Sequence, residues 1–255
     1  MTVSTECSRG DVVDGDERRA GRELVLELVF RPLSRPLVAL LVRGRVAPTA
    51  VVLANAATGL VAALVLARGQ LLAAAVLLQV KTLLDNTDGQ LARASGRVTL
   101  AGRYLDTEAD LVVNAGIFAA LAYVTGEPVL AAVAFLALTI VLAVDFNVTE
   151  LRREALGTAS PRPGPAGGWV EHVLTRIYGL VFGPLDRGVR RAFRRDAIDW
   201  LTVGVLANLG LSTQLAVLGV CLVAGAPEAY LWVVLACLLL VAGLRLRMEL
   251  RARSS

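Results

Sequence analysis

The chain has 255 residues, of which 56% are hydrophobic, and a formal net charge of +4. With a mean hydropathy of +0.63, this composition excludes an ordinary soluble domain and points to a chain that lives in a bilayer. Basic residues are concentrated in particular connections rather than spread evenly, so the charge informs topology more than partner choice, and no nucleic-acid partner is expected.

Residues 1–21 are polar and acidic, with Asp11, Asp14, Asp16 and Glu17. They read as a disordered cytosolic tail without a cleavable signal peptide. Residues 22–46 alternate apolar clusters with Arg22, Arg31, Arg35, Arg43 and Arg45. This pattern suits an amphipathic juxtamembrane helix, with Val25, Leu28 and Val29 toward acyl chains. The alternative is a plain linker, and Pro32 and Pro36 are expected to break the run.

Six apolar stretches follow, near residues 48–67, 70–92, 104–124, 128–148, 201–224 and 229–247. Each is long enough to cross about 30 Å of hydrocarbon as a helix, and no strand-period alternation persists. The expected fold is an all-α integral membrane protein of six transmembrane helices preceded by the juxtamembrane helix. The domain reading is 47–250, with residues 149–200 as a basic cytosolic insertion. The connections at 67–70, 125–128 and 225–228 are short and hold one arginine. The positive-inside bias therefore places both termini in the cytoplasm. Residues 160–168 read as a hinge rich in proline and glycine. Beyond it, Val170 to Phe193 reads as one or two amphipathic helices broken near Gly183-Pro184, either roofing a site or serving as a spacer. Cys7, Cys221 and Cys237 show no pairing pattern and read as reduced.

The chemistry-bearing stretch begins with Asp85, Asp88 and Gly89 and ends with Asp106 and Asp110. Residues three or four apart share a helix face. The first pair closes one helix, the second opens the next, and the turn between is short. The helices are thus antiparallel neighbours whose four carboxylates can converge. Acids at membrane depth are costly unless cations lie among them. An all-oxygen cluster suits Mg²⁺ or Mn²⁺ rather than zinc, and two such ions can clamp a diphosphate. Gly89 would let a ligand approach the backbone. Arg93 offers a planar donor fork.

This spacing, D-x2-D-G-x2-A-R-x8-G-x3-D-x3-D, resembles the signature of the CDP-alcohol phosphotransferases. It is matched at Asp85, Asp88, Gly89, Ala92, Arg93, Gly102, Asp106 and Asp110. The resemblance implies two bound metal ions, usually Mg²⁺, on Asp85, Asp88, Asp106 and Asp110, with Asp85 and Asp106 bridging both. Asp110 would also be the general base on the acceptor hydroxyl. Gly89, Arg93 and Thr99 would contact the nucleotide, as would Pro48 and Thr49, although that segment departs from the family's Pro-Asn-x-x-Thr pattern. The implied reaction is transfer of a substituted phosphoryl group, phosphatidyl foremost, from a CDP-alcohol such as CDP-diacylglycerol to a hydroxyl acceptor. CMP is released, in phospholipid biosynthesis at the inner or plasma membrane. A homodimer is implied as well. The alternatives are a soluble CDP-alcohol donor with a lipid or polar acceptor and, from another class, a divalent-cation transporter.

Other polar residues carry two readings each. Lys81, the single lysine, shares a face with Asp85 and Asp88, either as their ion-pair partner or as a phosphate or acceptor contact. Asn114 could orient Asp110 or bond across helices. Asn208 and Ser212 read as interhelical glue or as acceptor-pocket residues. Asp145 and Asn147, with Arg152 and Arg153 following, could line the cavity mouth, the arginines reading foremost as solvated positive-inside anchors; Arg194 and Arg195 are further cations available to an anionic acceptor. Glu108 is expected to face solvent, and His172 is assigned no role.

Overall fold

The computed structural model describes residues 23–155, 168–193 and 198–254, and among these every regular element is helical. The 1–21 tail, Arg22, most of the 160–168 hinge, Arg194 and Arg195 lie outside the described residues. A π-helical turn, Leu26–Phe30, leads into α1 (Arg31–Arg43). The longer helices are α2 (Pro48–Ala67), α3 (Leu71–Ala94), α4 (Leu100–Thr125), α5 (Pro128–Ala155) and α10 (Pro227–Ser254). Between α5 and α10 lie α6 (Trp169–Val181), α7 (Gly183–Ala192), α8 (Trp200–Ala207) and α9 (Leu211–Val223).

Proline starts α2, α5 and α10, where its missing N–H costs nothing because the first turn has no intrahelical acceptor. Gly126 ends α4 in the left-handed region at φ 73° and returns the chain directly into α5. Pro32 and Pro36 do not break the first segment, contrary to expectation. Pro32 occupies the opening turn of α1, and Pro36 is carried inside the helix. Ser34, fully buried, accepts a hydrogen bond from the Gln90 amide of α3 at 2.6 Å. That contact holds α1 to the polar end of α3, so tertiary packing offsets the backbone bond that Pro36 removes.

Four segments are long and apolar enough to cross a membrane: Pro48–Ala67, Ala101–Thr125, Pro128–Ala155 and Pro227–Arg251. The expected span at 201–224 is two helices, α8 and α9, bent by 46°; counted together they make a fifth. The expected span at 70–92 is the single helix α3, but Lys81, Asp85, Asp88 and Arg93 in its second half remove it from that class.

One apolar core joins α2, α3, α4, α5, α9 and α10 through residues such as Leu66, Leu78, Leu121, Leu138, Leu218 and Leu231. Its tightest approach is at Gly59, where a Cβ would lie 2.4 Å from Val113 Cγ1 and 3.4 Å from Lys81 Cδ. The absent side chain brings α2 against α4 and leaves room for the lysine stem. A second core joins α5, α7, α8 and α10 through Val148, Val189, Leu206 and Leu244.

The second core is stapled by Asp199, which caps α8 by accepting the Thr202 N–H at 2.9 Å and the Thr202 hydroxyl. Arg247 and Arg251 of α10 pair with the same carboxylate, the latter at 3.0 Å. Burial opposes the charge, but the Thr202 hydrogen bonds and the two guanidinium groups outweigh it and hold this carboxyl below its ordinary range. A depressed folded value means stability that is present above the unfolded pKa and is lost as pH falls through the folded one. Asp199→Asn is therefore expected to lower the melting temperature in detergent at neutral pH. Its deficit should shrink as pH drops below about 4, the ordinary aspartate value. Equal deficits at pH 7 and pH 3 would refute the assignment.

Candidate active site

The carboxylates come from the two helices the sequence singles out. Asp85 and Asp88 lie on α3, and Asp106 and Asp110 lie on the first turns of α4. One oxygen from each of Asp85, Asp88 and Asp106 lies within 4.8 Å of the others. Asp88 Oδ2 and Asp106 Oδ1 are buried and have no hydrogen-bond partner among the described residues. Buried anionic oxygens without donors are a costly arrangement unless a cation belongs among them. The donor set is oxygen only, so the cluster fits a hard divalent ion such as Mg²⁺ or Mn²⁺.

Asp110 is turned elsewhere. Its Oδ1 accepts the Lys81 ammonium at 2.7 Å, and the same ammonium lies 3.6 Å from Asp85 Oδ1. Lys81 is completely buried, with its only positive charge spent between two carboxylates from different helices. Asp85 is further fixed by Asn55 of α2, whose amide donates to Oδ1 at 2.9 Å. Asn55 is 1% exposed. The sequence reading passed over it, although an asparagine inside an otherwise apolar span is itself the signal of an interior polar role.

The expected nucleotide contacts occupy the same end of the helix bundle. Arg93 is exposed, and its guanidinium lies over Gly89, where an added Cβ would meet Nη1 at 3.5 Å. Thr99 caps α4, its hydroxyl oxygen accepting the Gly102 N–H at 3.1 Å. Pro48 opens α2, with Thr49 exposed beside it.

Behind Asp106 and Asp110 is a cavity of about 260 Å³, walled also by Asn114 of α4 and by Thr139 and Asp145 of α5. The 149–200 segment adds Tyr178 of α6, Phe182 at the α6–α7 junction and Asp186 of α7 to a wall otherwise built from α4, α5 and Leu211 of α9. Tyr178 stacks on Tyr104 of α4 at 4.7 Å and on Phe182 at 5.1 Å. Its hydroxyl donates to Asp186 Oδ2 at 3.0 Å. Burial, and then the neighbouring Asp186 charge, push the Tyr178 phenol well above its ordinary range, so it remains a neutral donor. Asn147 does not line the cavity. Its amide donates to Asp186 Oδ1 at 2.7 Å, and its oxygen accepts from Arg190 at 3.2 Å, tying α7 to α5.

Other polar residues settle into plainer positions. Asn208 Oδ1 accepts the Leu24 N–H at 2.9 Å, and Glu23 accepts the Thr213 N–H at 2.9 Å, so the start of the described chain is stitched to α9. Burial raises the Glu23 carboxyl above its ordinary range, partly countered by those Thr213 bonds. Glu108, expected to face solvent, is half-buried, and its Oε1 is enclosed without a hydrogen-bond partner among the described residues. Its place on a helix packed against α2, α5 and α6 leaves few directions open to water.

A family model described as CDP-alcohol phosphatidyltransferase matches residues 45–180. That match contains the four aspartates, Arg93, the Asn114 position and the Tyr178 wall. A curated protein of Thermococcus kodakarensis, "Bifunctional IPC transferase and DIPP synthase", is 39% identical over 80 residues, which cover 31% of this chain and 18% of that protein. The match thus spans under a fifth of the length of that relative.

Proposed function

The chain belongs to the CDP-alcohol phosphatidyltransferase family, and from that premise we propose that it transfers a substituted phosphoryl group from a CDP-alcohol to a hydroxyl acceptor with release of CMP. CDP-diacylglycerol is the foremost donor and phospholipid synthesis the setting. The observation that carries this reading is the oxygen-only cluster of Asp85, Asp88 and Asp106, of which Asp106 also lines the cavity together with Asp110.

Asp85, Asp88 and Asp106 would hold one divalent ion. A second, shared by Asp85, Asp106 and Asp110, would require the Lys81 ammonium to give up part of its grip on Asp110. When bound, such ions neutralise the diphosphate and stabilise the charge that develops on the departing CMP. The chain's own groups supply the rest. Asn55 and Lys81 orient Asp85. Gly89 leaves space for the nucleotide, and Arg93, with Thr99, Pro48 and Thr49 near it, contacts the CDP portion. Asp110 takes the proton of the acceptor hydroxyl. The acceptor oxygen then forms a bond to the phosphorus that carries the alcohol. The bond from that phosphorus to the bridging oxygen breaks, and CMP leaves with the electron pair.

The topology that fits is six spans: α2, α3, α4, α5, the bent α8–α9 pair and α10. α3 counts because its polar half is turned toward neighbouring helices and the site. Both termini and the site would face the cytoplasm of the inner or plasma membrane. The π-helical turn and α1 would lie along the headgroups, with Leu28, Leu33 and Leu40, all exposed, toward acyl chains. The domain reading of 47–250, with 149–200 as its insertion, and assembly as a homodimer belong to the same proposal.

Purified protein with Mg²⁺ and a panel of CDP-alcohols tests it. CMP release from CDP-diacylglycerol is the expected result. Release only from water-soluble donors would reassign the donor, and metal flux into proteoliposomes without any CMP would sink the transferase reading.

A further inference from the structure

We infer that α6 docks an open apolar face into the bilayer at the site-bearing end of the helix bundle, and that arginines of α6 and α7 gather anionic lipid headgroups there. This surface lies outside the transferase chemistry and does not depend on it.

A helix packed on a protein and otherwise bathed in water needs two sides, one apolar against the protein and one polar against solvent. α6 has three. Half-buried Leu174 and Tyr178 mark the side turned to the protein, where Tyr178 stacks on Tyr104 of α4 at 4.7 Å. His172, Thr175 and Arg176 make an exposed polar side. Trp169, Val173, Ile177 and Leu180, with Val181 at the edge, make the third, at the spacing of a single helix face. All five are exposed, Trp169 at 77% and Leu180 at 80%. A contiguous apolar stripe left open in this way marks a surface that something apolar covers.

Position names the cover. Tyr104, on which α6 rests, lies in the second turn of α4, at the end that carries Asp106 and Asp110. Tyr123, also exposed, lies near the opposite end of the same helix. From one tyrosine to the other the helix rises about 28 Å, close to the roughly 30 Å of hydrocarbon in a bilayer, and this helix is among those apolar enough to cross one. α6 is thereby held at the level where hydrocarbon meets headgroups. Tryptophan and amphipathic helices both favour that depth.

Charge agrees. Arg176, Arg187, Arg190 and Arg191 are all exposed on α6 and α7. Arg190 is taken by Glu154 and Asn147. Arg176, Arg187 and Arg191 make no ion pair among the described residues. Asp186 is turned inward, to Tyr178 and Asn147. Each arginine near an anionic surface strengthens attachment about fivefold. A second copy of the chain is the poorer occupant. The 13 residues of α6 make a helix about 20 Å long, and one side of it falls far short of the roughly 800 Å² per partner in a stable protein interface. Because α6 also carries Tyr178 into the cavity wall, the lipid contact steadies one wall of the active site.

The test uses the full chain with Trp200→Phe and Trp232→Phe, which leaves Trp169 as the one tryptophan. It is placed in nanodiscs of phosphatidylcholine with roughly 30% phosphatidylglycerol. Lipids brominated high on the acyl chain are expected to quench Trp169 emission by about half or more, and aqueous iodide to quench it only weakly. Moving the bromine from phosphatidylcholine to phosphatidylglycerol at equal mole fraction should deepen the quenching about twofold. Arg176→Gln/Arg187→Gln/Arg191→Gln should abolish that difference. Leu180→Asp, harmless if water covers the stripe, is expected to restore iodide quenching. Strong iodide quenching of the starting protein without a response to brominated lipid would overturn the docking. Protection from both quenchers would overturn it too, because a protein cover such as a second copy gives that result. Equal quenching by the two brominated lipids would overturn the anionic preference. These comparisons are read on the starting protein, so a variant that fails to fold shields nothing. None involves CMP, so their failure leaves the transferase reading standing.

Discussion

Asp106→Ala is expected to lower CMP release by at least a hundred- to a thousandfold, the range typical of removing one electrostatic stabiliser of a transition state. Asp106 contributes one of three oxygens that converge within 4.8 Å, and its Oδ1 is buried with no protein donor. Alanine removes a ligand and replaces it with nothing that could hold a hard cation. Two readouts separate this from misfolding. In wild-type protein, Mg²⁺ should raise the melting temperature, because an ion bound only by the folded state stabilises it by mass action. In Asp106→Ala that rise should be lost, while the melting temperature without Mg²⁺ stays close to wild type or increases, since a buried like-charge neighbour of Asp85 and Asp88 is gone. Chelation of wild-type protein should reproduce the activity loss, and Mg²⁺ or Mn²⁺ should reverse it. Wild-type turnover in the alanine variant would end the metal-site proposal.

Lys81→Met should cost about 3–5 kcal/mol of stability, the range for removing one partner of a buried ion pair. The ammonium is wholly buried and stands 2.7 Å from Asp110 and 3.6 Å from Asp85. Methionine keeps much of the stem that fills the space beside Gly59, so the loss is of charge rather than volume. The surviving carboxylates would then repel one another with no internal cation between them. Thermal unfolding in detergent should show the loss without Mg²⁺ and partial recovery with it, because a bound cation supplies what the lysine did. The double variant Lys81→Met/Asp110→Asn should be more stable than Lys81→Met alone. A melting curve superimposable on wild type would show that the pairing contributes nothing to the fold.

The readable part of the site is the part built from local spacing. Asp85 with Asp88, and Asp106 with Asp110, are three and four residues apart, so each pair must share a helix face. The short link between α3 and α4 requires the helices to be neighbours. The oxygen-only donor set also follows from residue identity. Thr99 enters the sequence reading only as a nucleotide contact implied by the resemblance; that its hydroxyl caps α4 by accepting an N–H three residues on is a finding of the structure. Pro36 shows where local logic fails. Its helix-breaking tendency is real, but the buried contact of Ser34 with Gln90 overrides it.

What the sequence determined alone is the membrane character, the all-helical class and the pairing of acids along α3 and α4, because each depends on composition or on contacts within a few turns. Only the tertiary structure decided that Lys81 grips Asp110 rather than Asp85 alone, that Asn55 steadies Asp85, and that Tyr178 and Asp186 return from the 149–200 segment to wall the cavity. Those contacts join residues 29 to 74 positions apart in the chain, as with Lys81 and Asp110 or Tyr104 and Tyr178. No helical or strand period encodes such separations. They are set by which helix faces bury together, as where the missing side chain of Gly59 lets α2 close on Val113 and leaves room for the Lys81 stem.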